Sequence, residues 1–145
     1  MRLWRISEFA SLDGAGGLYA AGRWNSIGQP ITYLAESSAL ALLEALVRRS
    51  RTVLPAPYQL LDVHVPDDVV TTYWPVDQDA HDRPLTTAWG DAFLRARSTA
   101  LARVPSVIAP ASWNYLLNPL HPDAARIRIA RAARWPWDAR LFGRD

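Results

Sequence analysis

Short apolar runs alternate along the chain with segments of helical spacing, and this rhythm predicts its elements. Leu3 to Ile6 reads as a short strand. The glycine-rich run Asp13-Gly14-Ala15-Gly16-Gly17 that follows lacks the Gly-Lys-Ser/Thr ending of a phosphate loop and reads as a mobile surface loop. Ile31 to Ala35 is an apolar, β-branched run behind the turn residues Gly28 and Pro30, hence a buried strand. Ser37 or Ser38 then caps a helix whose apolar stripe is Ala39, Leu40, Leu43, Leu46 and Val47. Glu44 falls about 40° round that helix from Leu40, on the margin of the stripe rather than on the solvated face. Tyr58 to Val65 and Val69 to Tyr73 are strands separated by a Pro-Asp-Asp turn, and Pro75 to Pro84 is a loop over one edge. Thr86 or Thr87 opens a second helix carrying Trp89, Phe93, Ala96 and Ala100 and ended by Pro105. Arg126 to Ala130 alternates Arg with aliphatic residues as a half-exposed strand would. Strands and helices intermix without an internal repeat, which predicts a single α+β domain over residues 1–145.

Composition narrows the chemistry. All 16 basic residues are Arg, and there is neither lysine nor cysteine. Schiff-base lysine chemistry, thiol catalysis, disulfides and Cys-ligated zinc are therefore excluded. Residues 1–92 hold 7 Arg against 11 acids (net −4), and residues 93–145 hold 9 Arg against 3 acids (net +6). The basic residues of the second part are spread among apolar ones, the pattern of a solvated strand or helix face, although such asymmetry also suits nucleic acid or an acidic partner. The start has no uninterrupted apolar signal region, and no stretch approaches the ~18 apolar residues of a membrane span, so a cytoplasmic location without membrane contact is expected.

The usual catalytic signatures are missing. The histidines at 64, 81 and 121 form no metal-binding pair, and no Gly-x-Ser-x-Gly elbow is present, so no metal site is expected. What remains is a cluster in one short interval: Ala21-Gly22-Arg23-Trp24-Asn25, Ile31-Thr32-Tyr33-Leu34-Ala35, then Ser37 and Glu44. Each has an ordinary reading. Arg23 suits a surface cation, Tyr33 a core aromatic with a satisfied hydroxyl, and Glu44 an ion pair with Arg48 at i+4.

Together with Pro105-Ser106, Asn114-Tyr115-Leu116-Leu117-Asn118-Pro119 and Asp138-Ala139-Arg140, these elements resemble the RES family in order and over nearly the whole chain, from Trp4-Arg5-Ile6 onward. Ala21 departs from the second glycine that many members carry before Gly-Arg-Trp. The resemblance implies a fold like that of ADP-ribosyltransferases, a split β core with flanking helices, and a toxin that consumes NAD as substrate, with no prosthetic group. Glu44 is then expected to stabilise the cationic ribose that forms as nicotinamide leaves, Arg23 to clamp the dinucleotide bidentately and Tyr33 to stack on nicotinamide. Gly22 would let the backbone approach the substrate, Ser37 and Ser106 would donate further hydrogen bonds, and Asn114 and Asn118 would fix the cleft-forming loop. Water, phosphate or a protein side chain would each serve as acceptor, giving a glycohydrolase, a phosphorylase or an ADP-ribosyltransferase. The implied partner is an Xre-type helix-turn-helix antitoxin, with DNA reached only through it, and a homodimer is left open. A reading from another class is a non-enzymatic nucleic-acid module that stacks bases on Trp113, Tyr115, Trp135 and Trp137 beside the basic tail.

Overall fold

The computed structural model describes residues 1–144 and is built around one mixed seven-stranded sheet. Its strands are β1 (Arg2–Ser7), β2 (Thr32–Ala35), β3 (Tyr58–His64), β4 (Thr71–Tyr73), β5 (Leu101–Pro105), β6 (Trp113–Leu117) and β7 (Arg128–Trp135), in the spatial order β4-β5-β6-β2-β1-β3-β7. All neighbours run antiparallel except β4 and β5, which are parallel and joined by a helical crossover. Three α-helices accompany the sheet: α1 (Gly16–Tyr19), α2 (Ser38–Leu46) and α3 (Arg83–Ala96). Pro122–Arg126 and Ala139–Phe142 form 3-10 turns.

The register divides the sheet in two. β2 and β6 share four registered pairs and β1 and β3 share six, yet β1 and β2 meet at the single pair Trp4–Ala35. The expected split of the β core is therefore a near-parting between β1 and β2 within one hydrogen-bonded sheet. Period-two alternation then assigns the two faces. Leu3, Leu34, Leu61, Val63, Leu101 and Leu117 point one way into a core completed by Val65, Val69 and Ile127. Ala102, Val104 and Leu116 point the other way and pack with Trp24, Trp74, Phe93 and Leu94. Both long helices lie on this second face, α2 against Trp4, Ile6 and Ala35 and α3 against the tryptophan cluster.

Local chemistry accounts for the helix ends. Ser37 is the N-cap of α2, its Oγ accepting the Leu40 amide at 3.1 Å. Asp82 caps α3 through the Leu85 amide, Pro84 occupies its first turn, and Arg97 ends it in the left-handed region at φ 51°.

Several boundaries differ from the sequence expectation. α3 starts ahead of the two threonines because Asp82 is the capping residue, and it stops at Ala96 rather than running to Pro105. Ala100 to Val104 is instead a nearly continuous buried run feeding β5, and apolar runs of that length read equally as helix or strand. In α2 Ala39 is exposed and Ala41 buried, and Val47 falls beyond the helix as its exposed C-cap, because the helix packs along only one side. The glycine-rich loop is tied down rather than free, since Gly14 O accepts both Gly17 N and Ile31 N. The last strand begins at Arg128, as His121 and Pro122 start a 3-10 turn that occupies Arg126. Among the described residues no helix is long and apolar enough to cross a membrane.

Candidate active site

Where β1 and β2 part, a cleft of about 650 Å³ opens on the helix-bearing face, within the size range of small-molecule sites. Its floor is formed by Trp4, Arg5, Tyr33 and Ala35, one wall by α2 and the other by the turn at 20–24 with Arg83 at the start of α3. Arg5 Nη1 donates to Tyr33 O at 3.0 Å, bridging the two strands beside the point where their ladder stops.

Glu44 is the lone carboxylate among the residues lining this cleft. Its Oε1 accepts from Ser106 Oγ at 2.8 Å and from Asn114 Nδ2 at 2.7 Å. The i+4 ion pair with Arg48 is not formed among the described residues. Since both donors converge on Oε1, Oε2 has no protein donor among the described residues and is the oxygen left for a ligand. Ser106 is buried behind the carboxylate, where it also accepts the amides of Ile108 (3.2 Å) and Ala109 (3.1 Å). One donor and two acceptor lone pairs are thereby all used. Ser106 thus holds Glu44 and keeps no hydrogen bond for a substrate.

The lining supplies four guanidinium groups, those of Arg5, Arg23, Arg48 and Arg83, and none of them forms an ion pair among the described residues. Burial first, and then the neighbouring Arg48, pulls the Arg5 pKa down from its usual value. The Arg48 charge thus disfavours the charged form of Arg5, and an anion bound between them would relieve it.

Tyr33 is fixed at both ends of its hydroxyl, which donates to Asn25 Oδ1 at 2.5 Å and accepts from the Trp24 amide at 3.3 Å. Burial pushes its pKa up to about 12, so it is a neutral phenol that orients the 22–25 turn. The ring remains on the cleft with the Arg48 guanidinium 5.6 Å from its centre. A Cβ on Gly22 would stand 2.5 Å from Tyr33 Oη and 2.8 Å from Asn25 Oδ1. The close approach that glycine permits here is to the tyrosine.

The structure therefore brings together Glu44, Arg23, Tyr33 and Gly22, with Ser106 directly behind. Ser37 stands apart as the cap of α2 and is not part of the cleft lining. Asn118 holds a loop, donating to Leu94 O and accepting from Leu120 N, whereas Asn114 holds Glu44 itself. The residues that sequence reasoning did not assign to the site are Arg5, Arg48 and Arg83. Arg48 carried a signal in its i+4 spacing to Glu44, but that spacing suggested neutralisation rather than a shared cleft. Of the four aromatic residues proposed as base-stacking platforms, Trp137 is buried against Leu46 and Phe142, and the Trp113 ring is covered by Arg103 at 3.9 Å. They do not form an exposed row.

The RES domain family model matches residues 2–138. Toxin Res of Pseudomonas putida is 40% identical over 146 residues, covering 98% of this chain and all of that protein. The Prs ADP-ribosylating toxin of Sphingobium sp. is 37% identical over 153 residues, covering 96% of this chain and 95% of that protein. Among solved structures, the M. tuberculosis MbcT-MbcA toxin-antitoxin complex contains a chain with TM-score 0.75 and 19% identity, covering 98% of this chain and 86% of that one. That likeness concerns the fold.

Proposed function

Because the chain belongs to the RES family, we propose that it is the toxin of a toxin–antitoxin pair and that its cleft cleaves the nicotinamide–ribose bond of NAD. The observation that carries the reading is the charge pattern: one carboxylate, held through a single oxygen, among four guanidiniums without acid partners. A dinucleotide complements it, with a pyrophosphate for the arginines and a ribose that turns cationic at the reacting carbon for the carboxylate.

The reaction needs no general acid. Nicotinamide is a cationic pyridinium in NAD, and when the C–N bond breaks it takes the electron pair and leaves neutral. One carboxylate therefore suffices where ordinary glycosidases use two. Glu44 Oε2 faces the ribose as positive charge develops, while Ser106 and Asn114 stop the carboxylate from turning away. Tyr33 supplies the ring against which the nicotinamide stacks. Attack of water gives ADP-ribose, and phosphate gives the 1-phosphate ester of ADP-ribose.

Transfer to a protein is the second reading, favoured by the ADP-ribosylating toxin named among the relatives. The experiment is incubation of purified protein with labelled NAD in water, in phosphate and in cell extract, followed by mass spectrometry of small molecules and proteins. Nicotinamide release with free ADP-ribose or its phosphate supports degradation, and label on one protein supports transfer. No nicotinamide release under any condition refutes both. The partner expected on this reading is an antitoxin that covers the cleft.

A further inference from the structure

The Arg23 turn does not hold itself in place. Its internal bonds are few: Gly22 N donates to Asn25 O at 3.1 Å, and Asn25 Nδ2 ties back to Ala20 O and Ser26 O. From outside, the Tyr33 hydroxyl holds Trp24 and Asn25, and the remaining anchors, including those on Arg23 itself, come from one helix. Thr86 Oγ1 and Thr87 Oγ1 both donate to Arg23 O, each at 2.9 Å. Three residues further on, Gly90 lies so close to the turn that a Cβ there would stand 1.8 Å from Trp24 O. Asp91, itself buried, receives Ser26 N at 2.8 Å and Ser26 Oγ at 2.6 Å. Just before the helix, Ala80 O accepts from Arg23 Nη1 at 3.2 Å. Positions 86, 87, 90 and 91 follow helical spacing and form one face.

We propose that this face of α3 is the positioning element for Arg23, so that Thr86, Thr87, Gly90 and Asp91 set affinity for the dinucleotide without touching it. The inference rests on the NAD reading for its kinetic consequence, though not for its structural one. The helix is well suited to the task. Asp82 and Pro84 fix its start, and the same first turn delivers Arg83 to the cleft. Two of the four cleft arginines are thus referred to one rigid body, while Arg5 belongs to β1 and Arg48 to the turn just past α2. Gly90 is the sharpest element. Glycine weakens a helix interior relative to alanine, and here it admits the Trp24 carbonyl.

The test uses Thr87→Val, Asp91→Asn and Gly90→Ala in the full chain. Thr87→Val keeps shape and removes one of two hydroxyls on Arg23 O, so KM for NAD should rise about fivefold with kcat within twofold, the signature of lost ground-state and transition-state binding alike. Gly90→Ala favours the helix yet displaces the turn, and KM should rise tenfold or more. In an Arg23→Ala background Thr87→Val should add nothing, because the two changes act through one group. Amide hydrogen exchange supplies a readout free of NAD: residues 22–26 should exchange faster in Gly90→Ala and in Asp91→Asn, with β1 and β3 unchanged. Unchanged exchange at 22–26 in both variants overturns the proposal, as does a Thr87→Val effect that persists in full without Arg23. If the unmutated protein releases no nicotinamide, the NAD reading fails, and the exchange data still decide whether α3 holds the turn.

Discussion

Replacement of Glu44 by Gln is the most direct trial of the charge argument, because it exchanges one oxygen for an NH2 group and leaves the volume unchanged. The hydrogen bonds from Ser106 and Asn114 both end on Oε1, and the amide retains a carbonyl oxygen that can accept them. Folding stability should therefore change by less than about 1 kcal/mol, or a few degrees in Tm for a chain of this length. The catalytic effect is far larger. A carboxylate oxygen about 4 Å from a unit positive charge, in a half-open cleft with an effective dielectric near 20, contributes about 4 kcal/mol, and losing it lowers kcat by roughly 10³. The assay is chromatographic measurement of nicotinamide release at saturating NAD, beside a thermal melt followed by circular dichroism. A Glu44→Gln protein that melts like the parent and keeps kcat within fivefold would remove Glu44 from the chemistry. Glu44→Ala is a useful contrast, as it also strands the Ser106 and Asn114 donors and should cost about 1–3 kcal/mol of stability.

Ser106→Ala removes the donor to Glu44 and the acceptor for the Ile108 and Ala109 amides. It should lower stability by about 2 kcal/mol, measured by urea titration, and kcat by roughly tenfold. Tyr33→Phe tests whether the hydroxyl is structural. The Tyr33 pKa lies at about 12 when folded against 10.0 ordinarily, so the unfolded chain loses this proton first as pH rises. Its contribution is complete below pH 10 and falls by up to about 2–3 kcal/mol on approaching pH 12. Urea melts across that window should show the fall in the parent and a shallower one in Tyr33→Phe; identical profiles would mean that the phenol is not buried as described. Antitoxin and NAD should compete for the protein, and titration calorimetry that finds undiminished NAD affinity in the toxin–antitoxin complex would refute a cleft-covering inhibitor.

Much of this protein was determined by sequence pattern alone. The apolar runs around Leu3, Ile31 and Tyr58 specified strands, the spacing of Trp89 and Phe93 specified a helix, and the pair Ser37 and Ser38 marked where α2 begins, the structure choosing Ser37 as the cap. Those features are local, depending on side-chain period and on a backbone amide three residues away. The motif order around Gly22-Arg23-Trp24, Tyr33, Glu44 and Ser106 also pointed to one family before any geometry was considered. The boundary between α3 and β5 was not legible because the run from Ala100 to Val104 is apolar except for Arg103, and so short a run carries no clear period until a neighbouring strand supplies a register.

Tertiary structure alone decided the site's composition. That Ser106 and Asn114 meet on one oxygen of Glu44 requires residues 62 and 70 positions away, and no spacing rule reaches so far. Arg48 seemed a salt-bridge partner on its own helix, yet Glu44 is claimed by the sheet and the guanidinium is left beside the Tyr33 ring. The cleft itself exists because β1 and β2 pair at one position and then separate. Each of the two strands is held on its other side, β1 by six registered pairs with β3 and β2 by four with β6, so the parting is a property of the assembled sheet rather than of either strand.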